Sequence, residues 1–181
     1  MPGGKTLKWN WMGFLMLMAL LASCGREKEQ ATTHYDEFTA IIVPYKDGTE
    51  SILTQIQGTL QKQLKASGQF TLSAQDSIRQ DELIRDFATL AQQTIIALEA
   101  MKEMPESDLK SAGVQYVGRT AESILGAYNN IVVPMLDSVQ RPSQHVIDSL
   151  SKVYSDQLVR SNEEFAARQL EFLKKSGLLE L

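Results

Sequence analysis

Apolar residues recur along most of this chain at intervals of three, four and seven, which is the spacing of an amphipathic helix. The first such stretch runs from about Thr33 to Ala66 and ends at Ser67–Gly68. Its apolar positions are Phe38, Ile42, Tyr45, Ile52, Ile56, Leu60 and Leu64. No part of the sequence alternates convincingly with the period of two that a half-buried strand requires. The pattern predicts an all-α protein.

The second stretch begins at Ser73, where Asp76 follows three positions on as in a capping box, and it runs to about Met104, before Pro105. Within it, apolar residues repeat every seven positions in two adjacent registers: Leu83, Leu90, Ala97 and Met104, and Ile84, Ala91 and Leu98. This stripe is wide enough to face two neighbouring helices.

Two more stretches complete the pattern. The third starts at Ser107 or Asp108 and ends before Arg141, and the fourth starts at Ser143 and ends at Ser176–Gly177. Four helices of roughly 30 residues, joined by short connections, predict an antiparallel up-down four-helix bundle with helices about 45 Å long.

Pro44 and Pro134 lie inside the first and third stretches. Each proline removes a backbone donor, so we expect a kink or a break near both. The Asp47–Gly48 pair leaves two alternatives open, namely a continuous first helix or a short helix over residues 34–46 followed by a separate one.

The segment before these stretches has the character of an export signal. It carries Lys5 and Lys8 and then runs almost without polar residues from Trp11 to Ala22. A helix needs roughly 20 apolar residues to span a bilayer, so a run of about a dozen favours a signal peptide over a permanent span.

The apolar run ends in Leu21-Ala22-Ser23-Cys24, which resembles the lipobox of bacterial lipoproteins. The resemblance implies that signal peptidase II cleaves between Ser23 and Cys24. It further implies that the Cys24 thiol carries diacylglycerol and that the new amino terminus receives a fatty acid such as palmitate. Two or three acyl chains hold a protein stably on a membrane, whereas one does not.

The resemblance divides the chain into a signal peptide over residues 1–23, a charged tether over 24–32 and one helical domain over 33–181. Bacterial lipoproteins retained in the inner membrane carry Asp after the cysteine, and this chain has Gly25. The resemblance therefore implies an outer-membrane anchor and leaves its periplasmic and surface faces both open.

The composition of the chain disfavours several classes of partner and of catalytic chemistry. The chain has a net charge of −4 at pH 7 and no cluster of basic residues, which disfavours nucleic acid as a partner. Its two histidines, His34 and His145, form no Glu-x-x-His pair for a di-metal centre, and Cys24 is the one cysteine. No phosphate-binding loop or Gly-x-Ser-x-Gly turn occurs either, so we expect neither a cofactor nor an enzyme.

The third stretch contains three glycines, and each costs about 1 kcal/mol in a helix relative to alanine. They allow either close helix packing or a groove. If a groove exists, its candidate residues are Gly113, Tyr116, Gly118 and Tyr128. The tyrosines are expected first of all as packing residues.

These features favour a lipid-anchored envelope protein with a non-enzymatic helical module that binds an envelope protein or the cell wall. The alternative is a carrier of a small apolar molecule or lipid in a cavity between helices, lined by Met101, Met104 and Met135. A carrier requires an apolar cavity of roughly 300 Å³ or more. An enzyme would require a buried pair of carboxylates.

The lipobox assignment predicts the outcome of one substitution. Cys24→Ala should leave an uncleaved, unlipidated precursor, because the acceptor thiol is gone. Metabolic labelling with a radioactive fatty acid measures this directly, and label entering the Cys24→Ala variant at the wild-type level would show that the anchor lies elsewhere.

Overall fold

The computed structural model describes residues 26–54, 74–136 and 142–179, and these segments are helical apart from short turns, with no strand among them. The first helix, α1, covers residues 26–54. The helices that follow are α2 (Ala74–Lys102), α3 (Asp108–Ala127), α4 (Val133–Leu136) and α5 (Gln144–Lys175), with a π-helix (Tyr128–Val132) between α3 and α4. The predicted all-α class is confirmed.

The helix ends follow from local chemistry. Ser107 is the N-cap of α3, and its hydroxyl accepts a hydrogen bond from the backbone N–H of Lys110 at 3.0 Å. At the other end of the chain, Gly177 follows α5 with a φ of 64°, the left-handed conformation that glycine adopts without strain. Both ends lie where the sequence predicts them.

The helix α1 differs from its prediction in two ways. Residues 26–32, assigned to a tether, are already helical, and the helix runs unbroken through Pro44 and Gly48. Pro44 has no N–H to offer to the carbonyl of Ala40, but both residues lie on the exposed face, where water can satisfy that carbonyl. The second alternative, a short helix over 34–46, is wrong.

The distortion predicted near Pro134 takes the form of the π-helix that precedes it. The backbone N–H of Val133 bonds to the carbonyl of Tyr128, five residues back, so one residue is added to this turn. This wider turn lies just before Pro134, which has no backbone N–H to donate. α-Helical structure resumes in α4.

The core consists of two apolar clusters to which α1, α2 and α3 all contribute. The first core cluster contains Phe38, Ile42, Tyr45, Ala97, Met101, Met104, Leu109, Ala112, Tyr116, Val117 and Phe165. The second core cluster contains Ile52, Leu83, Phe87, Leu90, Ile124 and Val132, with Leu158 of α5 packed against it. Burial of this apolar surface is the main contribution to the stability of the fold.

Contacts between pairs of helices fix their relative directions. Asp108 at the start of α3 lies 3.9 Å from the ammonium of Lys175 at the end of α5, and Arg119 pairs with Glu164 further along. These two helices therefore run in opposite directions. The helix α1 runs parallel to α3, because His34 shares a hydrogen bond of 2.7 Å with Ser107 and the Tyr45 hydroxyl donates to the carbonyl of Val117 at 3.3 Å.

Two glycines of α3 have opposite surroundings and provide a matched pair of substitutions. A Cβ at Gly113 would lie 2.5 Å from Cε2 of the fully buried Phe38, whereas a Cβ at Gly118 would have no atom within 4 Å. Gly113→Ala should lower the free energy of unfolding by about 1 kcal/mol, because the overpacking exceeds the gain in helix propensity. Gly118→Ala should raise it by about 1 kcal/mol through propensity alone.

Urea unfolding of the two variants under one set of conditions measures both changes. Equal stabilisation by the two substitutions would mean that α1 and α3 do not approach each other at Gly113.

Candidate functional site: a cleft between α1 and α5

The four residues proposed as a cleft from the sequence lie in different surroundings. Gly113 faces Phe38 in the first core cluster, and Gly118 has open space beside it. The ring of Tyr128 packs on Phe87 at a centroid distance of 4.1 Å, against the second core cluster. Of the four, Tyr116 alone lines the large cleft found between α1 and α5. Ser23 and Cys24 lie outside the described residues.

This cleft, called here the α1–α5 cleft, has a volume of about 720 Å³ and is open to solvent. Its walls are α1 and α5, and its floor is α3. The lining residues are Lys46, Thr49, Glu50, Leu53, Thr54, Tyr116, Thr120, Leu158, Asn162, Glu163, Phe165, Ala166 and Gln169. The volume is in the range of sites that bind small molecules or a short peptide segment.

Helical periodicity brings these side chains together. On α1, Lys46, Thr49, Glu50 and Leu53 are spaced by three, four and seven residues and therefore share one face. The cleft residues of α5 recur in the same way, from Leu158 to Gln169. Each wall is thus one stripe of a regular helix and needs no special loop.

The floor of the cleft contains two buried hydroxyl groups. Thr49 is 4% exposed and Thr120 is 3% exposed, and neither Oγ1 atom has a hydrogen-bond partner within the described structure. A buried polar group without a partner costs about 1–3 kcal/mol, so native proteins retain few of them.

Tyr116 adds an aromatic ring to the floor, and Tyr45 is its neighbour in the core. Tyr116 stacks on Phe165 at a centroid distance of 4.6 Å and meets Tyr45 edge to face at 6.3 Å. Burial raises the pKa of both phenols above the ordinary value. The hydroxyls of Thr94 and Thr49 beside Tyr45, and of Thr120 beside Tyr116, lower the pKa of these phenols in part.

The rim of the cleft is charged. Glu50 and Glu163 are exposed and form no ion pair within the described residues, and the same holds for Lys46. The Glu50 charge reaches the floor, since it contributes to the raised pKa of Tyr116. With two carboxylates and one ammonium, the rim carries a net negative charge.

The end of the cleft toward the start of α1 is closed by polar and aromatic contacts. The side-chain amide of Gln169 donates a hydrogen bond to the Tyr35 hydroxyl at 3.0 Å, and the Tyr35 ring stacks on Phe172 at 6.3 Å. These contacts join α1 to α5 beyond the cleft. They hold the two walls at a fixed separation.

A second pocket, at the second core cluster, is apolar but smaller. It has a volume of about 220 Å³ and lies between Leu53, Phe87, Ile131 and Leu158. The methionines considered as carrier lining are elsewhere, because Met101 and Met104 pack within the first core cluster. The volume is below the roughly 300 Å³ expected of an apolar carrier site.

Three kinds of candidate remain, namely the histidines, a metal site and a membrane-spanning helix. His34 bonds to the N-cap of α3 and His145 is exposed in the first turn of α5. Across residues 26–54, 74–136 and 142–179, no three His, Cys, Asp or Glu side chains come together as metal ligands. None of the helices in these ranges is sufficiently long and apolar to cross a membrane.

Comparison of the chain with protein-family models, curated proteins and solved structures found no match.

Sequence reasoning missed the α1–α5 cleft, although the sequence contained a signal for it. The buried stripe of α1 runs Ile42, Tyr45, Thr49 and Ile52, so a threonine occupies a core position. On α3, Thr120 likewise lies between the buried Val117 and Ile124. Two polar residues within apolar stripes mark the level of the cleft, but only the packing shows that both line it.

The unpartnered hydroxyls predict a gain in stability on their removal. Thr49→Val and Thr120→Val should each raise the free energy of unfolding by about 1 kcal/mol, because valine has nearly the same shape and no group to desolvate. Thr94→Val is the matched control, since the Thr94 hydroxyl is also buried but donates to the Leu90 carbonyl at 2.9 Å.

Thermal and urea unfolding measure these differences, and Thr94→Val should bring no gain. If Thr49→Val and Thr120→Val destabilised the protein as much as a lost hydrogen bond does, their hydroxyls would have partners and the floor of the cleft would be closed.

Proposed function

We propose that this protein is a lipid-anchored component of the bacterial cell envelope, attached to the outer membrane through Cys24, and that its helical domain is a non-enzymatic binding module. The lipobox resemblance of Leu21-Ala22-Ser23-Cys24 supports the anchor. The α1–α5 cleft supports the binding role. We further propose that α1, α2, α3 and α5 form an antiparallel up-down four-helix bundle.

Three pairs of contacts support this bundle. The helices α1 and α3 run parallel and α3 and α5 antiparallel, as described above. Gly48 of α1 lies against Gln93 of α2, and Phe38, ten residues earlier in α1, shares the first core cluster with Met101, later in α2. This order is the one expected of α1 and α2 running in opposite directions.

The observation that carries the binding role is the open α1–α5 cleft, which has a volume of about 720 Å³. A cleft that served only packing would be filled by apolar side chains. The α1–α5 cleft instead leaves about 720 Å³ open beside the core, which is space that a ligand can occupy.

Two observations favour binding over the other functions. The carboxylates at the cleft, Glu50 and Glu163, are both exposed, whereas the enzyme hypothesis needs a buried pair. The apolar pocket of about 220 Å³ is smaller than a carrier of lipid would need. The α1–α5 cleft is larger but has a polar floor.

In-cell photocrosslinking tests the binding role. A photoreactive phenylalanine analogue at Asn162, on the wall of the cleft, should capture an envelope component in the lipidated protein. The same analogue at Gln92, on the exposed side of α2, serves as the control and should not. Equal capture at both positions, or none at Asn162, would contradict the proposal.

A further inference from the structure

Two helix faces on the outside of the protein carry large apolar side chains that remain in contact with solvent. On α2, Ile84 and Ile95 are 48% and 61% exposed, and on α3, Val114 and Leu125 are 38% and 45% exposed. Spacings of four, three and four residues place two small residues between the members of each pair, so that all four residues share one helix face. These faces are called here the α2 stripe (Ile84, Ala88, Ala91 and Ile95) and the α3 stripe (Val114, Gly118, Ala121 and Leu125).

Contacts between α2 and α3 fix the register of the two helices. The rings of Phe87 and Tyr128 lie 4.1 Å apart, and the sulfur of Met101 lies 3.1 Å from the position that a Cβ at Gly113 would take. The helices therefore run antiparallel, and each residue forward along α2 corresponds to one residue back along α3. Residues of the two helices whose numbers add up to 214 or 215, as these two pairs do, are level with each other.

Both stripes lie on the outer side of this helix pair. In the rotation of a regular helix, the α2 stripe is roughly opposite Gln93, whose side chain lies against Gly48 of α1. The α3 stripe is roughly opposite Tyr116, whose ring stacks on Phe165 of α5. Because α1 and α5 cover the inner sides of α2 and α3, the two stripes lie side by side on the surface that faces away from them.

The large residues of each stripe are level with the small residues of the other. Ile95 is level with the middle of the α3 stripe, between its glycine and its alanine, and Leu125 is level with the middle of the α2 stripe, between its two alanines. Within one chain this space is not filled, since Ile95 is exposed and a Cβ at Gly118 would have no atom within 4 Å. A helical glycine costs about 1 kcal/mol relative to alanine, and no described residue uses the space that Gly118 leaves.

From this pattern we infer that the α2 and α3 stripes bind a second copy of this chain. A two-fold axis parallel to the helices places α2 of each copy on α3 of the other, at the same level. Ile95 of one copy then enters the space between Gly118 and Ala121 of the second copy, and Leu125 enters the space between the two alanines of the opposite α2 stripe. A two-fold interface forms each of these contacts twice, in the manner of knobs in holes.

The polar edges of the stripes favour a second copy over a partner of one strong charge. Exposed polar residues flank each stripe on its outer edge, and in the two-fold arrangement each of them is level with a residue of the other copy. The level pairs are Arg85 with Asn129, Gln92 with Glu122, and Glu99 with Gln115. None of these pairs opposes like charges, so the two surfaces are compatible. A strongly acidic or basic partner would meet both signs of charge here.

The direction of the two-fold axis agrees with the proposed lipid anchor. Rotation about an axis parallel to the helices leaves the start of α1 at the same end in both copies, so both Cys24 residues can be attached to one membrane. An axis at right angles to the helices would place the two anchors at opposite ends. This point rests on the proposed function, whereas the match between the stripes does not.

Disulfide crosslinking in cells tests the contact. Two differently tagged full-length copies are expressed together, one with Ile95→Cys and the other with Ala121→Cys. Cys24 is the one other cysteine and is acylated in the proposed protein, so a disulfide between the two tags requires two copies in contact. We expect this pair to crosslink. The pair Ile95→Cys and Val153→Cys is the control and should not, since Val153 lies exposed on α5.

Native mass spectrometry of the full-length lipidated protein in detergent measures how strongly the copies associate. Ile95→Glu and Leu125→Glu should each weaken association at least about tenfold, because each would bury a charge without a partner. Val153→Glu is the matched control and should leave association unchanged, since Val153 is 49% exposed and lies outside both stripes. Urea unfolding should show that all three variants fold, because each side chain is exposed in the single chain.

Other outcomes overturn the inference in distinct ways. Crosslinking of Ile84→Cys to Ile95→Cys, in place of the expected pair, would mean that α2 packs on α2 and would refute the parallel axis. Equal weakening by Val153→Glu, or a monomer that forms no disulfide, would refute the second copy altogether.

Photocrosslinking separates this inference from the proposed binding role. A product formed at Gln92 should consist of two copies of this chain and have twice its mass, which distinguishes it from another envelope component captured at Asn162. Capture of a different protein at Gln92 would refute the second copy as occupant of the stripes. If dimers are absent while Asn162 still captures a component, this inference fails and the binding role stands.

Discussion

The packing of α1 against α3 and α5 depends on the aromatic contacts around Phe165. Its ring lies 5.9 Å from Phe38 and 4.6 Å from Tyr116, so one side chain of α5 joins three helices. Phe38 in turn occupies the space left by the absence of a side chain at Gly113. These contacts bring the helices close at the first core cluster. The α1–α5 cleft opens immediately beside that point, with Tyr116 and Phe165 in its lining.

Along the helices, the protein interior changes from apolar to partly polar and back to apolar. Apolar side chains fill the first core cluster and again the second, but between them the buried positions include Thr49, Thr94 and Thr120. Of these hydroxyls, that of Thr94 donates to its own helix and the other two have no partner. Buried polar residues within an apolar core lower the stability of the fold. These threonines lie where α1 and α5 leave the core open to solvent.

Several charged side chains on the outside of the protein form ion pairs, whereas two carboxylates at the cleft do not. Arg119 with Glu164 and Lys175 with Glu171 are exposed pairs that contribute little to stability, because water screens them. Glu50 and Glu163 also lie in solvent, but no cation of the described residues neutralises them.

The sequence by itself determined the helical class, the start of α3 at Ser107 or Asp108, the end of α5 at Gly177 and the distortion near Pro134, because each depends on the chemistry of a few neighbouring residues. It could not decide whether α1 continues through Pro44, since this depends on which face of the helix meets water. The sequence also could not predict the α1–α5 cleft. Thr49 and Thr120 are far apart in the chain, and tertiary packing alone decides that both become buried along one cleft.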